Sequence, residues 1–156
     1  MLNISNLNWQ NLYSYKNIPK KVLFWIEDSK SLTQKLKNKY SDFYLEITLQ
    51  GDSEIYSHEI SKLEKNRQYI VREVILYGNK VPVVFARSII PKTIHNSLKL
   101  EVGDKPLGEI LFNDSKIKRS PIEVTFYEEI WGRRSVFIMN NERILVSEFF
   151  FEELYA

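Results

Sequence analysis

Two charged residues occupy positions where apolar side chains are expected, and they are the first candidates for chemistry. In the alternating run 69–77, Arg72 shares a strand face with aliphatic side chains, and in the run 143–151, Glu148 does the same. The neighbours on these faces are Ile70, Val74 and Leu76 for the arginine and Ile144, Val146 and Phe150 for the glutamate. An unpaired charge on a core face is costly, so each side chain predicts a partner.

The residues leave two interpretations of this pair open. In the first, Arg72 and Glu148 form an internal salt bridge and stabilise the core. In the second, they stand apart and bracket a ligand that carries a carboxylate for the arginine and a hydroxyl for the glutamate.

Three further positions are candidates for binding an anion. Arg87 lies on a strand face with apolar neighbours, and a proline near the start of that strand favours an exposed sheet edge. The motif "WGRRS" (131–135) favours a polar turn that leads into a strand, with an anion-binding corner as the alternative. Leu107 lies in the first turn of a helix opened by "DKP", where amide N–H groups have no partner within the helix.

The sequence contains no recognisable metal or nucleotide motif. There is no cysteine, and His58 and His95 have no neighbours at ligand spacing, which favours surface positions for both. Walker A, GxGxxG, HExxH and GxSxG patterns are missing. Asp28 and Ser29, before a helix, are interpreted as capping residues.

Composition is typical of a globular protein and excludes several function classes. The chain has 156 residues and a net charge of +2, which argues against a nucleic-acid partner or an anionic membrane. No apolar run approaches the length of a membrane span, and the N-terminus lacks the apolar centre of a signal peptide. The expected location is therefore the cytoplasm.

The elements that must position these residues are few helices and many strands. A helix is predicted after Pro19, with Leu23, Phe24 and Ile26 facing the core, and another begins at the capping-box pattern Ser31-x-x-Gln34. Further short helices are expected around Ile94–Leu98 and from an N-cap at Asp104, with Pro106 in the first turn.

Strands are predicted wherever apolar and polar residues alternate. Two hairpins are expected, one across "GNK" and one around Asn140–Asn141. The predicted strands are 43–51, 69–77, 81–90, 122–130, 134–139 and 143–151. This pattern predicts one α+β domain over residues 1–156, with a largely antiparallel sheet and the helices grouped to one side.

Six motifs, taken together, resemble the bacterial chorismate pyruvate-lyase (chorismate lyase) family. They occur in the family's order and at its spacing, and they span nearly the whole chain. They are "SLT" (31–33), "IVREVIL" (70–76), "VPVVFARSIIP" (81–91), "KPLGEILF" (105–112), "WGRRSVF" (131–137) and "LVSEFFF" (145–151).

The resemblance implies a compact α+β fold with a buried ligand pocket. It implies a lyase that converts chorismate to 4-hydroxybenzoate and pyruvate, the entry step to the ubiquinone ring. Because aromatisation of the ring drives this elimination, the implied reaction needs no metal or organic cofactor.

The resemblance also assigns roles to residues and thereby selects the ligand-bracketing interpretation. Arg72 matches an arginine that binds the ring carboxylate, and Glu148 matches a glutamate that meets the para hydroxyl. Leu107 matches a residue whose backbone N–H contacts the carboxylate, and Leu32 matches a residue that lines the site through its backbone. Arg87 matches an arginine near the pocket mouth and is expected to contact the enolpyruvyl carboxylate.

Two alternatives to the lyase function remain. One is a non-catalytic effector-binding domain of the same fold, although only about twenty residues, which are not basic, precede the first helix, where a helix-turn-helix domain would lie. The other is a homologue that binds without catalysis.

A monomer is expected. Product release is expected to limit turnover through movement of Gln50–Ser53 and Lys92–Asp104, which are interpreted as irregular stretches.

Overall fold

The chain folds into one antiparallel sheet that carries helices. The computed structural model describes residues 2–27, 31–102, 107–112 and 114–156, except the side chains of 99–102 and 112. The strands are β1 Gln10–Asn11, β2 Phe43–Gly51, β3 Tyr69–Gly78, β4 Val81–Pro91, β5 Lys118–Arg119, β6 Glu123–Tyr127, β7 Ile130–Met139 and β8 Glu142–Phe150. The α-helices are α1 Lys20–Ile26, α2 Leu32–Lys39, α3 Ser57–Ile60, α4 Lys92–Val102 and α5 Leu107–Phe112.

The sheet order is β1-β6-β7-β8-β4-β3-β2, with β5 paired to β7. All of these pairings are antiparallel. The predicted α+β class with an antiparallel sheet is therefore confirmed. Strands β3, β4, β7 and β8 form its centre, and β4 joins the two halves by pairing with both β3 and β8.

Three tight turns set the register of the long strands. Each has two residues at positive φ: Asn79–Lys80, Glu128–Glu129 and Asn140–Asn141. Turns of this kind match the right-handed twist of the strands that they join. The predicted hairpins across "GNK" and around Asn140–Asn141 are confirmed.

Four of the helices described cover one face of the sheet. Residues of α1 and α2 pack with Val74 and Leu76 of β3, and residues of α4 and α5 pack with Ile90 and Val146. The predicted grouping of helices to one side holds for these four.

The opposite face is also covered, which the sequence analysis did not anticipate. Ile4 and Leu7 of the N-terminal segment pack on Phe85 and Phe149. Ile55 and Leu63, in the segment that carries α3, pack against Ile89, Val136 and Leu145. The sheet is thus buried on both faces, and charged side chains on either face need partners.

Several local predictions are wrong. Phe24 is 62% exposed rather than in the core, where Val22 and Trp25 join Ile26. Leu23 packs partly buried against this cluster, as predicted. The Ser31 side chain makes no capping hydrogen bond, and Gln34 donates to Asn38 rather than closing a capping box. Asp28, Ser29, Asp104 and Pro106 lie outside the described residues.

The stretch after β4 is more regular than predicted. Instead of a short helical turn in an irregular stretch, α4 runs over eleven residues from Lys92 to Val102 and buries Ile94 and Leu98. Within the described residues, no helix is long and apolar enough to cross a membrane.

Candidate functional site

A small cavity lies between the helix-covered face of the sheet and the first turns of α2 and α5. Its volume is about 30 Å³. It is lined by Leu32, Thr33, Arg72, Val74, Leu76, Ala86, Ser88, Leu107, Gly108, Val146 and Glu148. Among the described lining residues the wall is largely apolar, and the charged ones are Arg72 and Glu148.

Arg72 enters the cavity from β3, where alternation places it on the same face as Val74 and Leu76. It is 2% exposed and pairs in register with Ser88 on β4 and with Gln50 on β2. Its Nε donates a hydrogen bond to Gln50 Oε1 at 3.1 Å. The edge strand therefore helps to fix the plane of the guanidinium.

Glu148 enters from β8, two strands away from Arg72. It pairs in register with Ala86 on β4 and with Arg133 on β7. Its Oε1 accepts a hydrogen bond from Arg133 Nε at 2.8 Å, and its side chain keeps 15% exposure. The carboxylate is thus charge-paired, but not to Arg72.

The internal salt bridge between Arg72 and Glu148 does not form. Arg72 lies opposite Ser88 and Glu148 opposite Ala86, so the two are offset by two residues across two strand spacings. Standard strand spacing and rise put their Cα atoms about 12 Å apart. The geometry matches the ligand-bracketing interpretation, in which a cationic and an anionic group flank a mainly apolar floor.

Leu32 and Leu107 form the opposite wall. Leu32 is the first residue of α2 and Leu107 the first of α5, and both are buried. Amide groups in a first helical turn have no partner within the helix. The structure therefore brings together four of the five predicted site residues: Leu32, Arg72, Leu107 and Glu148.

Arg87 is the exception, and its predicted edge exposure is wrong. It lies on β4 in the middle of the sheet, is 1% exposed, and points to the face opposite the cavity. Its guanidinium pairs with Glu59 and Glu73 at 2.8 and 2.9 Å and donates to the carbonyl of Glu54. Burial works to lower its pKa, but the two carboxylates outweigh burial and raise it.

The motif "WGRRS" is likewise not a turn, because it lies within β7. Alternation sends Arg133 to the cavity side and Arg134 to the other face, where Arg134 pairs with Glu123 at 3.0 Å. Burial lowers the pKa of Arg134 despite this pairing. Gly132 is required, since a Cβ there would lie 2.7 Å from the Phe149 ring.

The partnership of Arg133 with Glu148 was missed, although the sequence contained its signal. A two-residue turn at Asn140–Asn141 pairs Met139 with Glu142, and counting outward pairs Arg133 with Glu148. Residues directly opposite in an antiparallel pair share a face. The assignment of 131–135 to a turn hid this register.

Neither histidine belongs to the cavity lining. His58 is half-buried rather than at the surface: its Nε2 lies 2.8 Å from the carbonyl of Ile4, and its Nδ1 accepts from the Trp9 indole at 3.1 Å. Among the residues that the structure describes, no group of three His, Asp or Glu side chains could hold a metal ion.

The cavity is too small for a ring-shaped ligand in the conformation described. A volume near 30 Å³ holds about one water molecule, whereas a cavity that admits benzene measures about 150 Å³. Binding of a cyclic ligand therefore requires the side chains or the helices around the cavity to move.

A family model and individual relatives both relate this chain to the same family. A family model described as chorismate lyase matches residues 3–156. A probable chorismate pyruvate-lyase of Pseudoalteromonas atlantica is 35% identical, covering 94% of this chain and 88% of that protein. One from Pseudomonas aeruginosa is 33% identical, covering 97% and 94%. The chorismate pyruvate-lyase of Pectobacterium atrosepticum is 28% identical, covering 87% and 80%. The chain belongs to the chorismate lyase family.

Proposed function

We propose that this protein is a chorismate pyruvate-lyase, a carbon–oxygen lyase that forms 4-hydroxybenzoate and pyruvate from chorismate. The observation that carries the proposal is the separation of Arg72 from Glu148 across an apolar floor in a chain of this family. A buried guanidinium suits a carboxylate, and a carboxylate held apart from it suits a hydroxyl.

In this proposal each site residue contacts a different group of the ligand. Arg72 binds the ring carboxylate, and the backbone N–H of Leu107 adds a further donor at the start of α5. Glu148 accepts a hydrogen bond from the hydroxyl at C4. The start of α2 at Leu32 closes the site over the ring.

The elimination breaks the bond between C3 and the enolpyruvyl oxygen and removes the hydrogen at C4. The hydroxyl at C4 stays on the ring, which becomes aromatic, and the enolpyruvyl group gains a proton on its methylene and leaves as pyruvate. The task of the enzyme is to hold one conformer and exclude water. Either Glu148 moves the C4 proton, or the proton passes directly to the methylene carbon.

Several wider features belong to the same proposal. We place the reaction at the entry to the ubiquinone ring and the protein in the cytoplasm as a monomer. Neither a metal ion nor an organic cofactor takes part, because aromatisation supplies the driving force. Arg87 has no place in this site, since its guanidinium is engaged on the other face of the sheet.

The test is conversion of chorismate by the purified protein, followed by the ultraviolet absorbance of 4-hydroxybenzoate and by pyruvate release. We expect equal amounts of the two products, unchanged rates after EDTA treatment, and no requirement for a nucleotide. Binding of 4-hydroxybenzoate without turnover would instead indicate the non-catalytic effector-binding alternative.

A further inference from the structure

We propose that Arg133 is a positioning residue for this reaction. It holds one carboxylate oxygen of Glu148 so that the other oxygen is presented to the hydroxyl of the ligand. The inference rests on the proposed function, because it requires Glu148 to contact the ligand.

The Arg133 side chain is fixed by two different elements. It is 1% exposed, its Nε lies 2.8 Å from Glu148 Oε1, and its Nη1 donates to the carbonyls of Trp25 and Ile26 at 3.0 and 2.9 Å. A planar guanidinium makes these contacts in a fixed fork, so fixing one edge also fixes the other. The orientation of Glu148 is therefore tied to the position of the end of α1.

The two oxygens of Glu148 have different surroundings. Oε1 accepts the hydrogen bond from Arg133, whereas Oε2 accepts none from any residue in the described part of the chain. A carboxylate offers about four lone-pair sites, so the second oxygen retains its capacity to accept. Because Glu148 also lines the cavity, Oε2 is the natural acceptor for a ligand hydroxyl.

The contact with α1 links Arg133 to the second wall of the cavity. The last carbonyls of a helix lack partners within the helix, and Arg133 supplies a donor to two of them. The next helix along the chain is α2, whose first turn contributes Leu32 and Thr33 to the cavity. Arg133 thus connects the charged floor of the site to the helices that cover it.

Arg134 is a matched control for the interpretation that Arg133 only stabilises the fold. It is the next residue in the same strand, it is also buried at 5% exposure, and it makes a comparable set of contacts. Its Nε lies 3.0 Å from Glu123, and its Nη1 donates to the carbonyl of His58 at 2.8 Å. These contacts lie on the sheet face opposite the cavity, so loss of Arg134 costs stability without touching Glu148.

The experiment is a double-mutant cycle between positions 133 and 148. The variants are Arg133→Gln, Arg133→Lys, Glu148→Gln and the doubles of each Arg133 change with Glu148→Gln, with Arg134→Gln as the control. The dissociation constant of 4-hydroxybenzoate and kcat/KM for chorismate are measured for each folded variant.

We expect Arg133→Gln to lower kcat/KM by about 100-fold, the loss typical of a misplaced catalytic group. Arg133→Lys should recover only part of this, since a point charge cannot bond the carboxylate and the helix carbonyls together. In the Glu148→Gln background the change at Arg133 should have little further effect on affinity, because the two residues act as a unit. Arg134→Gln should lower the melting temperature but keep kcat/KM within a few-fold of the starting value.

Additive losses in the cycle, or equal activity losses in Arg133→Gln and Arg134→Gln, would overturn the inference. If Arg133→Gln does not fold, the Arg133→Lys arm gives the same coupling. If the protein binds 4-hydroxybenzoate without converting chorismate, the proposed function fails, and the cycle in 4-hydroxybenzoate affinity still decides the role of Arg133. Failure to bind 4-hydroxybenzoate at all would overturn both.

Discussion

At the scale of single residues, the face of the strand decides what an arginine does. Arg72 and Arg87 lie on adjacent central strands, and both are almost fully buried. Arg72 faces the cavity and the helices, whereas Arg87 faces Glu59 of α3 and Glu73 of the neighbouring strand β3. The same side chain is therefore a ligand-binding candidate on one face and a structural ion-pair partner on the other.

The first prediction concerns Arg72. Arg72→Ala should weaken both 4-hydroxybenzoate binding and kcat/KM by about 2–5 kcal/mol, because a buried carboxylate would lose its charged partner. Arg72→Lys should rescue little, since a point charge does not replace the bidentate fork. Turnover close to that of the unaltered protein in Arg72→Ala, with intact circular dichroism, would remove this residue from the site.

The second prediction separates two roles of Glu148. Glu148→Gln keeps the shape and a hydrogen-bonding oxygen but removes the charge. If Glu148 only anchors the hydroxyl, product affinity should fall modestly and kcat should not fall with it, because an anchor kept equally by substrate and product does not accelerate the chemical step. If Glu148 moves the C4 proton, kcat should fall much further than affinity. Steady-state kinetics and equilibrium binding of 4-hydroxybenzoate distinguish these results, and no change in either quantity would exclude both roles.

At the scale of elements, strand register places the site. The turns at Asn79–Lys80 and Asn140–Asn141 set the pairing of β3 with β4 and of β7 with β8. The pairing of β4 with β8 then sets the offset between Arg72 and Glu148. A slip of one residue in any of these pairings would turn a charged side chain to the wrong face.

The third prediction uses the turn between β6 and β7. Glu128 and Glu129 both have positive φ, at 48° and 66°, which is unfavourable for non-glycine residues. Replacing them with Asn and Gly, the preferred pair for this turn, should raise the free energy of unfolding by about 1 kcal/mol. Urea denaturation measures this change, and kcat should not alter because the turn is not among the residues that line the cavity. A lower unfolding free energy would contradict the turn geometry.

The fourth prediction concerns the ion pairs on the face opposite the cavity. Arg87→Met leaves Glu59, which is 1% exposed, without its partner, and should cost about 3–5 kcal/mol of unfolding free energy. Turnover per folded molecule should remain, since Arg87 does not reach the cavity. A large loss of kcat/KM in the folded variant would restore the earlier expectation that Arg87 contacts the enolpyruvyl carboxylate.

Local patterns in the sequence were sufficient for the strands and for the faces of Arg72 and Glu148. Alternation and turn residues are local signals, and they predicted β2, β3, β4 and β8 and two hairpins. The strand predicted over 122–130 is wrong at its end, because a turn at Glu128–Glu129 separates β6 from β7. The central position of β4 could not be predicted this way, because it depends on β8 returning to pair with it from more than fifty residues along the chain. Because that long-range pairing leaves no local signal, the proline near the start of the strand favoured an edge position for Arg87.

For the cavity wall, too, local signals predicted the elements but not how they pack. The helices that carry Leu32 and Leu107 were predicted from local signals, and the family resemblance assigned both residues to the site. Their packing onto the sheet is a tertiary event with no local signature. Ser88 and Thr33, which line the cavity beside Arg72, were not anticipated for the same reason.

At the scale of the whole molecule, the two faces of the sheet have separate tasks. The helix-covered face holds the cavity. On the opposite face, the ion pair of Arg87 with Glu59 and the hydrogen bond from Arg134 to the His58 carbonyl tie α3 to the sheet. Arg134 also forms an ion pair with Glu123 of β6. The proposed function therefore assigns stability and ligand binding to different sets of charges. It predicts that the site opens without loss of the ion pairs on the other face.

The last prediction is that product release, not chemistry, limits turnover. The product 4-hydroxybenzoate keeps both groups that Arg72 and Glu148 bind in the proposed site, and contacts kept equally by substrate and product do not accelerate the chemical step. The cavity is too small for a ring unless its wall moves, and wall opening is commonly rate-limiting. The irregular structure expected for Lys92–Asp104 is wrong over Lys92–Val102, because α4 is a helix that packs through Ile94 and Leu98. Movement of this segment stays a prediction. Gln50, which bonds Arg72 from the edge strand, is the better candidate for a mobile contact.

Rapid mixing with chorismate should show a burst of 4-hydroxybenzoate followed by a slower steady rate. Added 4-hydroxybenzoate should inhibit competitively below the KM for chorismate, whereas pyruvate, which lacks the ring, should inhibit weakly. Gln50→Ala should raise the steady rate and leave the burst rate nearly unchanged, because it loosens the Arg72 contact without altering the reacting atoms. Thr48→Ala, on the same edge strand but hydrogen-bonded only to the backbone of Glu73, serves as the control. A linear time course combined with weak inhibition by 4-hydroxybenzoate would show that the site opens faster than the elimination proceeds.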